Sequence, residues 1–186
     1  MNEAYQAVFL DRDGTIGGSD KIEYPGDFKL FYFAEEVIHT LKFNDILVFS
    51  FTNQPGISRG DACEEDFYRE LKSFGFDDIY LCPHHHTDSC DCRKPAIGML
   101  KKAASDHNLE LSRCVVFGDR WTDILAAKSA GCTAILVQTG SGKASWNQNH
   151  TTSIVQPDYV AANLKEGMEW LLKHTITVCP AKSEHL

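Results

Sequence analysis

Four carboxylates stand in two pairs along the chain. Asp11 and Asp13 lie in Asp11-Arg12-Asp13-Gly14-Thr15, and Asp119 and Asp123 lie in Gly118-Asp119-Arg120-Trp121-Thr122-Asp123. Between the pairs come Thr52-Asn53-Gln54, a hydroxyl followed by two amides, and the cations of Arg93-Lys94-Pro95. Carboxylates gathered without a counter-charge repel one another, and a divalent cation removes that repulsion. Hard oxygen ligands with open positions suit Mg²⁺. A lysine and a hydroxyl beside such an ion suit a phosphoryl group.

A second group has softer chemistry. Cys82-Pro83-His84, five residues, then Cys90-Asp91-Cys92 offer three thiolates and an imidazole, a closed tetrahedral set for Zn²⁺. His85 and His86 are read as bystanders, although either could replace His84. Such an ion would be structural and would tie down a loop, 82–92, that has no core of its own beside Arg93 and Lys94. Seven cysteines is an odd number, and without a secretory leader metal binding is expected over a disulfide framework. Cys114 and Cys132 sit in apolar context and read as core.

These residues need elements that carry them to one rim. Short apolar runs at 7–10, 46–51, 79–81, 114–117 and 133–137 read as buried parallel strands. Helical patterns fall between and after them, at 34–43, 64–74, 97–107, 122–130 and 160–172. The alternation predicts an α/β fold with a three-layer, doubly wound parallel sheet of the Rossmann-like kind. Asp11, Thr52 and Asp119 then follow strand ends, where open α/β sheets bind ligands. The Gly-, Ser- and Asn-rich stretch 140–153 reads as a surface loop. One domain is expected over 1–175, with a fraying tail at 176–186. Only 38 residues separate Asp13 from Thr52 and 41 separate Thr52 from Lys94, too few for a cap domain. The site should be open, with specificity supplied by loops 17–27, 55–61 and 82–92.

The chain has 186 residues with 43% hydrophobic and 24% charged, the profile of a globular protein. No apolar run is long enough for a membrane span. The N-terminal residues show no basic segment or cleavage site, so a cytoplasmic protein is expected. A net charge of -8 argues against a nucleic-acid partner. A monomer is expected, since no long exposed apolar stripe is evident.

Taken in order, Asp11-x-Asp13-Gly14-Thr15, Thr52, Lys94 and Gly118-Asp119 with Asp123 resemble the four motifs of the haloacid dehalogenase (HAD) superfamily of phosphohydrolases. The resemblance implies that Asp11 attacks phosphorus and forms an aspartyl-phosphate. Asp13 would protonate the leaving oxygen and then deprotonate water. Thr52 and Lys94 would hold phosphoryl oxygens. Asp11, the backbone carbonyl of Asp13 and Asp119 would hold Mg²⁺, with Asp123 supporting them from behind.

The cysteine loop running into Cys92-Arg93-Lys94-Pro95 is similar to the zinc-containing branch of that superfamily, which acts on D,D-heptose 1,7-bisphosphate or histidinol phosphate. Thr52-Asn53-Gln54-Pro55-Gly56-Ile57-Ser58-Arg59-Gly60 is closer to the heptose group, while the five-residue gap before Cys90 also fits the histidinol group. The implied partner is a small phosphorylated metabolite of the sugar-bisphosphate type. Asn53, Gln54, Arg93 and Arg120 are read as substrate-binding. Arg59 is read as the contact for a second anionic group, because a guanidinium matches phosphate geometry. A histidinol-phosphate phosphatase is the nearest alternative. A catalytically silent metal-binding interaction protein is the alternative of another class, and the intact Asp11, Asp13, Thr52, Lys94 and Asp119 count against it.

Overall fold

In the computed structural model, residues 4–19 and 22–175 are described; the expected tail at 176–186 lies outside them. Six strands form one parallel sheet: β1 (Ala7–Leu10), β2 (Leu47–Asn53), β3 (Asp78–Cys82), β4 (Cys114–Gly118), β5 (Thr133–Val137) and β6 (Tyr159–Ala161). Their order is β3-β2-β1-β4-β5-β6. The chain runs outward from β1 to β3, then returns to β4 on the other side of β1. The crevice beyond the ends of β1 and β4 is therefore the switch point of the sheet, where ligands bind in such folds.

Helices α1 (Ala34–Phe43), α2 (Glu64–Ser73), α3 (Gly98–His107), α4 (Trp121–Ala130), α5 (Gly142–Asn149) and α6 (Leu164–Thr175) complete the layers. Side chains alternate faces along a strand, and here both faces are covered. Val8 and Leu10 pack with Leu41, Leu71 and Leu171 of α1, α2 and α6. Ala7 and Phe9 pack with Leu100, Ile124 and Ala127 of α3 and α4. This two-sided burial accounts for the unbroken apolar runs in the strands. Helix α4 stops at Gly131, whose φ of +82° continues the chain in the left-handed region.

Two expectations are corrected. Stretch 140–153 is not all loop: α5 occupies Gly142–Asn149 in spite of weak helix formers. Trp146 packs on the α3–α4 side of the core, and tertiary packing outweighs composition there. The helix expected over 160–172 is split. Residues Tyr159–Ala161 pair in parallel with Ile135–Val137 as β6, and the helix starts at Leu164. Strand β2 also extends to Asn53, so Thr52 is a strand residue, buried in the ladder against Leu81.

No cap interrupts the rim. Residues 11–33, between β1 and α1, and 54–63, between β2 and α2, contain turns and isolated bridges only among the described residues. No helix among the described residues is long and apolar enough to cross a membrane.

Candidate active site

Asp11 follows the last residue of β1, and its N–H donates to the carbonyl oxygen of Phe117 in β4 at 3.0 Å. The sheet ladder thus fixes its backbone. Its Oδ1 accepts the Arg12 N–H at 2.8 Å and lies 2.9 Å from Lys94 Nζ. Among the described residues no hydrogen bond goes to Asp11 Oδ2. Lys94 Nζ also lies 2.7 Å from Asp123 Oδ1 and donates to the Phe51 carbonyl oxygen at 2.6 Å. Burial opposes the charge on Lys94, but Asp11 and Asp123 outweigh it and raise its pKa. The lysine is held as a cation.

Asp119 follows β4. Its Oδ2 accepts the Ser141 N–H at 2.6 Å, from the turn before α5. Its Oδ1 is buried with no hydrogen-bond donor. Burial, reinforced by the neighbouring Asp11, pushes its carboxyl up to about 7. Burial pushes Asp123 up to about 6, against the pull of Lys94. Both Asp123 oxygens are occupied, Oδ1 by Lys94 and Oδ2 by the Arg120 N–H at 3.0 Å. Gly14 makes room for this packing: its φ is +80°, and a Cβ there would sit 2.2 Å from Asp119 Oδ2.

The fourth carboxylate is Asp13. Its Oδ1 accepts from Arg12 Nη1 at 2.6 Å and its Oδ2 from Gln54 Nε2 at 2.7 Å. Partial burial raises its pKa, with Arg12 opposing. Gln54 Nε2 also donates to Thr52 Oγ1 at 3.0 Å, which leaves the Thr52 hydroxyl proton available to another acceptor.

Oxygen atoms of Asp11, Asp119 and Asp123 all lie within 4.8 Å of one another. Asp119 Oδ1, buried without a donor, and Asp11 Oδ2 are the oxygens left for a cation. The donor set is hard and anionic and fits Mg²⁺. At the end of β3, Cys82 Sγ lies 3.7 Å from Cys90 Sγ and 3.6 Å from His84 Nδ1, which is 3.2 Å from Cys92 Sγ. Ideal tetrahedral Zn²⁺ bonds would separate sulfur from sulfur by about 3.8 Å and sulfur from nitrogen by about 3.6 Å. The four ligand atoms therefore fit one Zn²⁺ ion.

The remaining residues singled out from the sequence take other positions. Asn53 faces the main chain of Lys94, accepting its N–H at 3.1 Å and donating to its carbonyl oxygen at 3.4 Å. It holds the main chain of the lysine in register. Arg93 Nη1 donates to the His84 carbonyl oxygen at 3.2 Å, and Arg120 is exposed on the rim, with Nε 4.0 Å from Asp119 Oδ1. Arg59 Nε pairs with Asp61 Oδ2 at 2.8 Å, and its Nη2 donates to the Tyr24 hydroxyl at 3.3 Å. Sequence reasoning missed Arg12, Tyr24 and Ser141. Arg12 had a signal, since it stands between two site carboxylates. Ser141 had none, because it acts through its main chain.

Three comparisons bear on this arrangement. A HAD-hydrolase-like family model matches residues 91–167. A D-glycero-β-D-manno-heptose-1,7-bisphosphate 7-phosphatase of Haemophilus ducreyi is 35% identical over 153 residues, covering 73% of this chain and 84% of that protein. This chain belongs to the HAD phosphatases. A second HAD relative, of the same description and from Vibrio cholerae, is 37% identical over 155 residues, covering 74% of this chain and 83% of its own. Among HAD structures, the D,D-heptose 1,7-bisphosphate phosphatase of B. bronchiseptica complexed with magnesium and phosphate has a TM-score of 0.78 at 31% identity, covering 90% of this chain and 98% of its own.

The raised carboxyl groups of this HAD phosphatase give a pH dependence. A carboxyl whose pKa is higher in the folded chain favours folding when protonated, so its contribution is full below about pH 4. That contribution is lost as the pH rises through about 6 for Asp123 and about 7 for Asp119. In protein dialysed free of Mg²⁺, the urea midpoint should fall between about pH 5 and about pH 8, and saturating Mg²⁺ should narrow the gap. An equal pH response with and without Mg²⁺ would contradict the assigned cation site.

Proposed function

We propose that this phosphatase is a Mg²⁺-dependent sugar-bisphosphate phosphatase that removes the 7-phosphate of D-glycero-D-manno-heptose 1,7-bisphosphate. The observation that carries the reading is that, among the described residues, no hydrogen bond goes to Asp11 Oδ2 or to the buried Asp119 Oδ1, beside an ammonium ion-paired with two carboxylates. The names of the relatives supply the substrate class.

Asp11 attacks phosphorus through Oδ1, the oxygen beside Lys94, leaving Oδ2 for the cation, and the bond from phosphorus to the sugar oxygen breaks. Asp13 gives its proton to that oxygen, which leaves as the alcohol. Asp13 then takes a proton from water, the water oxygen attacks the aspartyl-phosphate, and phosphate departs with Asp11 restored. Lys94 and the Thr52 hydroxyl hold phosphoryl oxygens throughout. Asp11, Asp119 and the carbonyl oxygen of Asp13 would hold Mg²⁺, which when bound would supply positive charge to offset that on the transferring group. Asp123 keeps Lys94 charged and in place.

Loops 17–27 and 54–63 meet at the rim, where the Tyr24 hydroxyl donates to Asp61 Oδ2 at 3.0 Å. Tyr24 and Asp61 together hold two of the Arg59 nitrogens, leaving Nη1 to receive the second phosphate. Cys82, His84, Cys90 and Cys92 would hold Zn²⁺ as a structural ion, since together they offer it a full set of four protein ligands, and it would tie the end of β3 to the segment that delivers Lys94. Burial pushes the Cys82 and Cys92 thiols up, and bound Zn²⁺ would hold them as thiolates.

The deciding experiment is phosphate release with Mg²⁺ from both heptose bisphosphate anomers, histidinol phosphate and fructose 1,6-bisphosphate. One heptose anomer should exceed a kcat/KM of about 10⁴ M⁻¹s⁻¹, and Asp11→Asn should abolish turnover without unfolding the chain. Preference for histidinol phosphate would overturn the substrate. Arg59→Ala should raise KM for a bisphosphate about tenfold and leave that for a monophosphate nearly unchanged; equal rises would remove Arg59 from the second-phosphate site. Cys92→Ser should take zinc, measured by atomic absorption, well below about one ion per chain. Full zinc content in that variant would overturn the ligand set.

A further inference from the structure

Arg12 lies between the two site carboxylates, yet its side chain is wholly buried. Its guanidinium stacks 3.7 Å from the Phe28 ring centroid and 5.1 Å from that of Phe67. Nη1 donates to Asp13 Oδ1 at 2.6 Å and to the Glu23 carbonyl oxygen at 2.9 Å. Nε and Nη2 both donate to Glu70 Oε1, at 3.2 and 2.8 Å. The other oxygen of Glu70 accepts the Gly26 N–H at 2.9 Å. Glu70 comes from α2, far from the reacting end of β1 in sequence, and is not one of the residues expected at the site.

A buried guanidinium needs its donors and its charge matched. Glu70 matches the inner edge, so only one nitrogen is left for Asp13. Without Glu70, Asp13 would be the nearest anion to a cation enclosed by aromatic rings. A two-pronged grip would then draw its carboxyl inward and away from the rim. The same carboxylate, by accepting the Gly26 N–H, holds the chain around Gly26 beside the guanidinium.

We propose that Glu70 is a positioning residue for proton transfer: through Arg12 it fixes the carboxyl of Asp13, and through Gly26 it locks the substrate-side loop to the same point. The inference rests on Asp13 being the acid that protonates the leaving oxygen. It predicts a loss confined to leaving groups that need a proton. A sugar alkoxide does; p-nitrophenolate departs without one.

The test compares kcat/KM on heptose 1,7-bisphosphate and on p-nitrophenyl phosphate, since kcat/KM reports the steps up to leaving-group departure. Glu70→Ala should lower the value for the sugar phosphate about tenfold to a hundredfold, and that for the aryl phosphate less than about threefold. Glu70→Gln keeps the shape and should give the same selectivity at smaller size; it carries the test if the alanine variant does not fold. Equal losses on both substrates, or none on either, would overturn the proposal by leaving Glu70 structural or idle. Asp13→Asn is measured on the same pair. If it shows the selective loss and the Glu70 variants do not, the positioning role alone fails. If Asp13→Asn itself shows no selectivity, the assignment of the acid fails, and this inference with it.

Discussion

The site is organised around one buried ammonium. Lys94 Nζ sits between Asp11 and Asp123 and is capped by the Phe51 carbonyl oxygen. Two strands and a helix contribute to that point: Asp11 follows β1, Phe51 lies in β2, and Asp123 stands in the first turn of α4. The ammonium offsets the repulsion that would otherwise drive the carboxylates apart. Removing one partner from such a buried pair costs about 3–5 kcal/mol, so the lysine is as much a part of the fold as of the chemistry. Its place depends in turn on Asn53, whose amide grips both main-chain groups of Lys94.

Two donor chemistries are kept apart on one rim. Oxygen donors gather at the switch point of the sheet, and sulfur and nitrogen donors gather beyond the edge strand β3. The chain joins them in two steps, from Cys92 to Lys94. Arg93, the residue between, donates to the His84 carbonyl oxygen and binds the soft site to the approach of the lysine. The Cys and His cluster is thus joined to the approach of a side chain of the carboxylate site.

Much of this was legible in the sequence because the decisive groups are side chains at strand ends. Apolar runs located β1 to β5, Asp11 and Asp119 followed from where two of those runs stop, and Lys94 was read as a cation just before a helix. Strand β6 was hidden because three residues beside a helical pattern carry too little periodicity to separate from it. Helix α5 was hidden by its composition, and only Trp146 hinted at packing. The roles of Asn53 and Glu70 depend on which way a side chain turns and what lies across the fold. Spacing along one chain does not encode that.

The grip on Asp119 comes from the N–H of Ser141, a main-chain group. Any residue at that position except proline offers the same donor. What places it is the path of the turn, which runs close under β5: a Cβ on Gly142 would meet the Val137 carbonyl oxygen at 1.8 Å. A survey of side-chain replacements at 141 would therefore pass over this contact. Adding or deleting a single residue between β5 and α5 would abolish it. At this corner of the site, heredity is stored in loop length rather than in residue identity.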